Sequence, residues 1–561
     1  MTKTVSSHGL AAFGPMHEAL ARLRGWKAHA MAAFLGAVAA LAFAPFHFTI
    51  ILAFAFTGLI WMIDGARGVK KWGKAVFARG WAFGFGFFLV SLHWTAFAFL
   101  VDPQKHAVFL FMPLILLPGG LGLIWGAGTA LAGAFWSSSP SRVFVFALFF
   151  SIAEYLRGNL FGGLPWNLAG SSWIPGGAMS QSAAVGGIYW LTLLTVFVMS
   201  TPAALVDTRE ARALSQRLMP AVLSVILLAV GWSLGAQRLS QPTTLYQNDQ
   251  VVLMDIGVPQ DIKWSVSPDV VLRRYLELLN ELPANTDDIV IWPEGALPFT
   301  VLQAPNALDA ISAYVGDRRL ILGTPRRQPV PRSEAQLVIG GAPAREDEIQ
   351  YFNSLAVLTK DSNRSGPIAL YDKHRLVPFG ELPAAKIIPF GEAISAILPT
   401  ALQRLAKNGF EPGPGPAVVY ADGVAPFNGL ICYEGIYPNI PRSREARPRA
   451  EWMVLVTNDS WFGIGMGPAQ HFAQNRYRAI ESGLPMARVA SRGATAMIDG
   501  MGRIVGRGET ASGDPEGWRS SVVRAPRPEA LPPPPYFRLG DIVFALTLLA
   551  FSVLAFLTWR R

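Results

Sequence analysis

Long apolar stretches constrain the fold of this chain more than any other feature. Residues 28–235 are overwhelmingly apolar, residues 238–538 read like an ordinary globular domain, and residues 540–559 are apolar again. Overall 51% of the residues are hydrophobic and 15% are charged, whereas charged residues make up about 25% of a typical soluble protein. The pattern predicts membrane-embedded segments that precede and follow a folded central domain in the sequence.

Eight stretches are candidates for membrane spans: 28–46, 48–63, 80–101, 108–135, 143–157, 181–205, 218–235 and 540–559. A spanning helix needs about 20 mostly apolar residues, so the second and fifth stretches are short. Lys and Arg cluster in the loops 64–80 and 206–217 and at both ends of the chain. With eight spans all of these lie on one side, and the positive-inside rule then predicts cytoplasmic termini and an extracytoplasmic central domain.

The predicted organisation has four parts: a cytoplasmic tail at 1–27, a membrane domain of seven spans at 28–237, a catalytic domain at 238–538, and a last span at 539–561. The catalytic domain alternates short β-rich runs with helix-like segments, which indicates an α/β fold. Strands are predicted at 251–256, 288–292, 320–323, 354–358, 368–371, 427–431 and 452–456. A helix is predicted at 468–482, with Pro468 near its start and Gly483 at its end.

Three of these strands end in polar residues followed by turn residues. IVIWPEGALP contains Glu294, ALYDKHRLVPFGE contains Lys373 and Glu381, and GLICYEGIYP contains Cys432, the only cysteine in the chain. Reactive side chains gather at strand ends in α/β sheets. There a carboxylate can take the thiol proton, the thiolate can attack a carbonyl carbon, and an ammonium can hold the oxyanion. We expect Lys373 to favour the thiolate, because a thiol with a pKa of about 8.5 is weakly ionised at neutral pH.

Each of these residues also has a simpler interpretation. Free cysteines are among the most buried residues and are usually inert. Lys373 alone is typical of a solvated surface lysine, and Glu294 after Trp-Pro is typical of a turn. Sequence spacing leaves both interpretations open, because it does not show that the three side chains meet.

Longer motifs carry a family resemblance: LAFAPF at 41–46, GLPWN at 163–167, PQDIKW at 259–264, WPEGALP at 292–298, DKHRLVPFGE at 372–381, CYEG at 432–435 and TNDSWFG at 457–463. Together they resemble the apolipoprotein N-acyltransferases, membrane members of the nitrilase (carbon–nitrogen hydrolase) superfamily. The resemblance implies a polytopic α-helical bundle of about eight spans joined to an α/β nitrilase-like αββα sandwich. Two departures are Ser491, where the family has asparagine, and GLPW in place of the commoner GFPW.

The resemblance also implies roles for individual residues. Glu294 falls on the family's catalytic base, Lys373 on its oxyanion-stabilising lysine, Cys432 on its nucleophile, and Glu381 on a further essential glutamate. Supporting or substrate-binding positions are Tyr433 and Glu434 after the nucleophile, Trp264 on a mobile loop, Trp166 in the membrane-side motif, and Trp461.

The implied reaction is N-acylation of the S-diacylglyceryl cysteine at the N-terminus of apolipoproteins. A phospholipid would donate the acyl chain through a thioester on Cys432, with ping-pong kinetics. The implied location is the bacterial cytoplasmic (inner) membrane, with the catalytic domain on the periplasmic side and both substrates held in the lipid bilayer.

Two alternatives remain from the residues: a membrane-tethered nitrilase-type amidase acting on a small amide, and a transporter or scaffold whose central domain only binds. The feature that discriminates the amidase from the acyltransferase is the aromatic and apolar content of the loops around the site, such as Trp264, Trp461 and Phe462, and the resemblance along the whole chain favours the acyltransferase. No zinc motif, paired cysteines, GxGxxG or Walker string is present, so neither a metal, nor another cofactor, nor a nucleotide is predicted. The net charge of +10 lies largely in loops between apolar stretches, so nucleic acid is not predicted as a partner.

Some remaining polar and aromatic residues have structural interpretations. His374 is interpreted as structural, and Glu154 with Arg157 as a pair that serves helix packing. Interfacial anchoring is the usual role of tryptophans near span ends, and it is the alternative for Trp81, Trp94, Trp125 and Trp166.

Overall fold

The computed structural model describes residues 14–137, 139–205, 214–263, 265–283, 286–329, 349–378, 380–382, 409–442, 449–463, 465–508 and 518–559. Contacts divide the chain into two compact units. The first unit comprises Met1–Pro242, Phe462–Gly483 and Pro532–Arg561, and the second comprises Thr243–Trp461 and Leu484–Leu531.

The longer helices, in chain order, are α1 (Gly14–Arg22), α2 (Gly25–Ala39), α3 (Ile51–Arg67), α4 (Trp72–Leu92), α5 (Leu117–Ala134), α6 (Ser141–Asn159), α7 (Ala183–Ser200), α8 (Leu214–Leu239), α9 (Pro268–Asn280), α10 (Pro305–Val315), α11 (Met466–Ser482) and α12 (Ile542–Trp559). The strands are β1 (Leu245–Asp255), β2 (Ile289–Trp292), β3 (Arg319–Pro329), β4 (Ile349–Leu358), β5 (Ala369–Asp372), β6 (Val418–Ala421), β7 (Val424–Ile431), β8 (Trp452–Asn458), β9 (Met486–Ser491), β10 (Ala496–Ile498), β11 (Ile504–Arg507) and β12 (Ser521–Pro528).

A helix covers the centre of each of the eight predicted apolar stretches. Among the described residues, five helical segments are long and apolar enough to cross a membrane: Gly25–Ala42, Pro103–Ala134, Ser141–Gly162, Met179–Leu205 and Arg217–Leu239. The pair Trp72–Ser91 and His93–Leu100, bent by 48°, would make a sixth. Two other apolar helices are shorter than these five segments: α3, which has 17 residues, and Ile542–Leu557 within α12. The apolar helices are therefore confirmed, whereas the count of eight spans stays a prediction.

Small residues allow the helices of the first unit to pack closely. A Cβ atom on Gly36 of α2 would collide with the carbonyl of Phe83 on α4, and one on Gly86 of α4 would collide with the carbonyl of Ala33 on α2. Close backbone approach at small residues is typical of helix pairs in membranes, where there is no hydrophobic driving force between helices.

Helix α11 belongs to the first unit, although its residues lie within the predicted catalytic domain of 238–538. Polar contacts join it to the other helices of that unit. The backbone N–H of Ile188 donates to the carboxylate of Glu481 at 2.8 Å, just after Gly187 interrupts α7 with a φ of 76°. The hydroxyl of Tyr477 donates to the carbonyl of Trp173 at 2.7 Å. The first contact satisfies a backbone N–H at the break in α7, and the second satisfies a carbonyl in the loop before α7.

The second unit contains two mixed six-stranded sheets. The strand order is β12-β1-β2-β3-β4-β5 in the first sheet and β11-β10-β9-β8-β7-β6 in the second. Strands β1, β2 and β3 are parallel to one another, as are β7, β8 and β9, and the outer pairs are antiparallel. The mixed sheets confirm the predicted α/β domain.

The core of the second unit explains why its central strands read as apolar runs. All four residues of β2 are buried, and Trp292 stacks on Tyr275 of α9 with ring centroids 4.4 Å apart. Helices α9 and α10 contribute Leu279 and Ile311 to the same buried cluster. All seven predicted strands and the helix predicted at 468–482 are present, and β1, β3 and β4 are longer than predicted.

Candidate active site

The single cysteine lies at a strained turn. Strand β7 ends at Ile431, and Cys432 begins the short 3₁₀ turn Cys432–Ile436 with a φ of 50°. A residue with a side chain rarely adopts this left-handed conformation, and where it does the surroundings must hold it there. The thiol is 7% exposed, and it hydrogen-bonds with Thr457 on the neighbouring parallel strand β8.

Glu434 holds this turn in place. Its side chain is fully buried. One carboxylate oxygen accepts the N–H of Ile431 at 2.9 Å, and the other accepts the Tyr371 hydroxyl at 2.9 Å and the two backbone N–H groups that follow Lys373 at 2.8 and 3.1 Å. Burial raises the pKa of Glu434, and the three backbone N–H groups oppose that rise. Glu434 therefore fixes the backbone beside Cys432 to the backbone beside Lys373.

Lys373 lies between two carboxylates. It directly follows β5 and is 1% exposed. Its Nζ is 2.8 Å from the carboxylate of Glu381 and 3.4 Å from Oε1 of Glu294. Burial alone would lower the pKa of Lys373, but Glu381 and Glu294 raise it above its ordinary value. The ammonium is therefore charged at neutral pH and is paired more closely with Glu381 than with Glu294.

Asn353 joins the two carboxylates, and the sequence analysis missed it. Its side-chain amide on β4 donates to Glu294 at 2.7 Å and to Glu381 at 2.9 Å. Its backbone carbonyl accepts the N–H of Lys373 at 2.8 Å. The signal in the sequence was an asparagine directly before the apolar strand that starts at Ser354, because a buried amide requires hydrogen-bond partners.

Glu294 is held from its other side by the second sheet. The backbone N–H of Asn458, the last residue of β8, donates to Oε2 of Glu294 at 2.9 Å. Strand β3 approaches Glu294 closely, since a Cβ atom on Gly323 would lie 2.5 Å from the Cα of Glu294. The carboxylate is thus fixed by donors from two sheets, with 12% of its side chain exposed.

The electrostatic surroundings keep the thiol of Cys432 neutral. Burial raises the pKa of Cys432 and the charge of Glu294 raises it further, whereas Lys373 and the hydrogen bond from Thr457 lower it. The net direction is upward: Lys373 favours the thiolate, as predicted, but its effect is smaller than the combined effects of burial and Glu294. The desolvation of the thiolate and the negative charge of Glu294 outweigh the nearby ammonium.

The other predicted residues fall in different places. Tyr433 is buried next to Cys432, with its ring 5.3 Å from that of Tyr437. Trp461 is 37% exposed, and Trp264 lies outside the described residues. The imidazole Nδ1 of His374 is 3.3 Å from the Gly413 carbonyl, which agrees with a structural role.

Trp166 belongs to the first unit and is more than an interfacial anchor. It is 2% exposed, and its indole N–H donates to Gln470 of α11 at 2.9 Å. Trp94 donates to the same oxygen at 3.1 Å, and the two indole rings are 4.8 Å apart.

The predicted packing pair is also present, since Arg157 binds both carboxylate oxygens of Glu154 at 2.7 and 2.9 Å. Arg157 further donates to the Trp166 carbonyl at 3.0 Å.

The departure at Ser491 has a local structural account. The Ser491 hydroxyl donates to Asp255 at 3.3 Å, and the N–H of Arg492 donates to the same carboxylate at 3.1 Å. Arg492 has a φ of 53°, so Asp255 at the end of β1 stabilises a tight turn after β9.

In the part of the chain that the structure describes, no group of three or more His, Cys, Asp or Glu residues is placed to hold a metal ion.

Comparisons with known proteins cover almost the whole chain. The Apolipoprotein N-acyltransferase N-terminal domain family matches residues 35–201, and the Carbon-nitrogen hydrolase family matches residues 254–517. An apolipoprotein N-acyltransferase of Rhodopseudomonas palustris is 34% identical over 549 residues, covering 96% of each chain. One of Caulobacter vibrioides is 34% identical over 542 residues, covering 95% of each chain. Among solved structures, an amidase from Nesterenkonia sp. matches 55% of this chain and 99% of its own, at 16% identity and a TM-score of 0.32.

The identity to these relatives extends from the apolar helices through both sheets, so it covers both units of the structure. The chain therefore belongs to the apolipoprotein N-acyltransferase family, acyltransferases that carry a carbon–nitrogen hydrolase domain.

Proposed function

We propose that this protein transfers an acyl chain from a phospholipid to the α-amine of the S-diacylglyceryl cysteine at the N-terminus of apolipoproteins. The observation that carries the proposal is the grouping of Cys432, Glu294 and Lys373 at strand ends in a chain of this family. A thioester on Cys432 would connect two half-reactions, which gives ping-pong kinetics.

In the first half-reaction, the sulfur of Cys432 attacks the ester carbonyl of the phospholipid while the thiol proton passes to Glu294. The ammonium of Lys373 stabilises the oxyanion that forms. The carbon–oxygen bond then breaks, and Glu294 returns the proton to the departing lysophospholipid oxygen. A base is required at the moment of attack, because the surroundings raise the pKa of Cys432 and the resting thiol is neutral.

In the second half-reaction, the lipoprotein amine attacks the thioester carbonyl and forms the amide bond. Glu294 takes the amine proton, Lys373 again stabilises the oxyanion, and the carbon–sulfur bond breaks. The proton on Glu294 then returns to the sulfur of Cys432, which restores the neutral thiol. A thioester suits this sequence because amines attack it readily, provided that water is kept out of the site.

The hydrogen bonds favour Glu294 over Glu381 as the base. Glu381 forms the shorter contact with Lys373, with both carboxylate oxygens 2.8 Å from Nζ, and its Oε2 also accepts the N–H of Val377 at 2.8 Å. Glu294 is 3.4 Å from the same ammonium, and its charge raises the pKa of Cys432 more than that of Glu381 does. Glu381 then serves to hold Lys373 in place and to keep it charged.

The proposed location is the cytoplasmic (inner) membrane of a bacterium. Eight spans would place the basic loops 64–80 and 206–217 and both termini in the cytoplasm. The catalytic domain would then face the periplasm, where lipids of the outer leaflet of the same membrane supply both the acyl donor and the lipid-modified acceptor.

Orientation can be tested with reporter fusions placed after Arg217, in the first turn of helix α8, and after Gln241, beyond the end of that helix. We expect the two fusions to report opposite sides of the membrane, with the first in the cytoplasm. The same signal from both positions would contradict the proposed orientation.

The chemical proposal is tested by incubating the full chain in detergent with a phospholipid that carries a labelled acyl chain, without any acceptor. Wild type should acquire one label per chain, and Cys432→Ala should acquire none. Cys432→Ser should be close to inactive, because the pKa of a hydroxyl is far higher than that of a thiol. Glu294→Gln should be labelled far more slowly because it lacks the base. Lys373→Met should also be labelled far more slowly, since a lost oxyanion-stabilising group typically reduces the rate roughly 10²–10³-fold.

Glu281→Gln is the matched control, because this glutamate is exposed in the same unit. It should be labelled at the wild-type rate, and heat-induced unfolding should show that all variants are folded. Wild-type labelling of Cys432→Ala would refute the nucleophile assignment. Labelled wild type that cannot pass its acyl chain to a diacylglyceryl cysteine peptide would refute the acceptor.

A further inference from the structure

A second buried lysine lies beside the proposed catalytic base. Lys263 ends the one-turn helix Gln260–Lys263 and is 3% exposed. Its Nζ donates to the carbonyl of Gly295, the residue that follows Glu294. Gly295 has a φ of 54°, so the chain turns sharply there, and the lysine holds the outer side of that turn.

The same helical turn has a second polar anchor on the opposite side of Glu294. Gln260 is 5% exposed. Its side-chain oxygen Oε1 accepts hydrogen bonds from the side-chain amide of Asn458 and from the Ser460 hydroxyl, both at 3.0 Å. The backbone N–H of Asn458 in turn donates to Glu294. Gln260 and Lys263 therefore each bind a segment next to Glu294. Gln260 binds the side chains of Asn458 and Ser460 at the end of β8, and Lys263 binds the backbone of Gly295.

We propose that Lys263 is a positioning residue for Glu294, which fixes the backbone after that glutamate and places a positive charge behind its carboxylate. The inference rests on the proposed function, in which Glu294 moves the proton. The mechanism above makes no use of Lys263, and its ammonium donates to a backbone carbonyl.

The charge of Lys263 has a specific electrostatic setting. Glu294 faces Lys373 after β5 and Cys432 after β7, while Lys263 faces Glu294 and Asp255 at the end of β1. Glu381 is the other carboxylate on Lys373. Burial lowers the pKa of Lys263 to about 8, and the charges of Asp255 and Glu294 oppose that decrease. The ammonium is therefore mostly charged at neutral pH, although its burial is unfavourable.

This balance gives a test that separates positioning from simple packing. Because burial opposes the charge of Lys263, replacing it with the apolar Lys263→Met should leave the melting temperature unchanged or raised. Loss of the positive charge disfavours the ionised carboxylate that accepts the thiol proton. The acidic limb of the pH–rate profile should then move to higher pH, by about one unit, which is the lower end of the usual effect of a nearby opposite charge.

The measurement is single-turnover acyl-enzyme formation by the full chain in detergent with saturating labelled phospholipid, from acidic to alkaline pH. Lys263→Met should lower the plateau rate about tenfold and move the acidic limb. Lys263→Gln keeps an amide donor for the Gly295 carbonyl but has no charge, so it should move the limb with a smaller loss of plateau rate. Lys360→Met, which removes an exposed lysine paired with Asp317, should match wild type in both respects.

The outcomes distinguish the two levels of the argument. Labelled wild type together with an unaltered rate and limb in Lys263→Met would overturn this inference alone. A reduced rate with an unmoved limb and a lowered melting temperature would also overturn it, because Lys263 would then be a structural support only. Absence of label on wild type would overturn the proposed function and this inference with it.

Discussion

Removing the charge of Glu294 should have opposite effects on two reactions of the same sulfur. In Glu294→Gln the carboxylate becomes a neutral amide of nearly the same shape. Burial raises the pKa of Cys432, Glu294 raises it further and Lys373 lowers it. Without the charge of Glu294, only burial and Glu381 still oppose the effect of Lys373 on the sulfur, so the pKa of Cys432 should fall and its thiolate fraction should rise. Acylation by a phospholipid should nevertheless slow, because the proposed base is lost.

The size of the effect follows from the charges around the sulfur. A nearby charge typically shifts a pKa by about 1–3 units, and we take about 1–2 units here because Lys373 and Glu381 remain. While the thiol stays mostly protonated, each unit multiplies the thiolate fraction tenfold, which gives a gain of about 10–100-fold. A thiolate of lower pKa is also less nucleophilic, with a Brønsted coefficient of about 0.5. Half of the logarithmic gain is therefore lost, and alkylation should be about 3–10-fold faster than in wild type.

The assay is alkylation of the full chain by iodoacetamide at neutral pH, followed by intact-mass spectrometry. Because the chain contains a single cysteine, every cysteine adduct reports on Cys432, and Cys432→Ala gives the background. Glu281→Gln, an exposed glutamate in the same unit, should be alkylated at the wild-type rate. If Glu294→Gln slows alkylation and acylation together, the electrostatic reasoning is refuted, because Glu294 would then be needed to make the sulfur reactive at all.

Three further predictions concern residues around the site. Asn353→Leu removes the donor shared by both carboxylates and should slow acyl-enzyme formation about tenfold or more, since hydrogen bonds to charged groups contribute about 1.5–3 kcal/mol; an unchanged single-turnover rate would contradict this. Glu434→Gln presents an N–H₂ group to buried N–H donors and should lower the free energy of unfolding by about 2 kcal/mol, measured by denaturant titration, with an unshifted midpoint as the contrary result. Trp264→Ala should weaken turnover and leave the melting temperature unchanged, whereas unaltered kinetics would show that this tryptophan only packs.

The sequence predicted the elements well because their signals are local. Apolar runs and turn residues place all seven predicted strands, with ends up to six residues away, and polar residues at three strand ends led to Cys432, Glu294 and Lys373. The structure brings these three together with Glu381. Each motif is contained within about ten residues of the chain, so its residue types remain readable without knowledge of the fold.

The supporting residues were harder to predict because their roles depend on contacts between distant segments. Asn353 becomes recognisable only when β4 lies beside β5. Lys263 and Gly295 are 32 residues apart in the chain, and a lysine in a turn gives no sign in the sequence that it is buried. The protonation state of Cys432 was hard to predict for a related reason, since it depends on the sum of burial and several charges and not on Lys373 alone.

The two glutamates on one lysine have a consequence for the proposed chemistry. At rest, the ammonium of Lys373, the two carboxylates beside it and the neutral thiol of Cys432 together carry one net negative charge. When Glu294 takes the thiol proton, its charge disappears and the oxyanion carries a new one, so the net charge of the buried site stays the same. A buried site therefore avoids the large cost of gaining a charge. What changes is the partner of Lys373: the 3.4 Å contact with Glu294 weakens, the 2.8 Å contact with Glu381 persists, and the ammonium becomes available to the oxyanion.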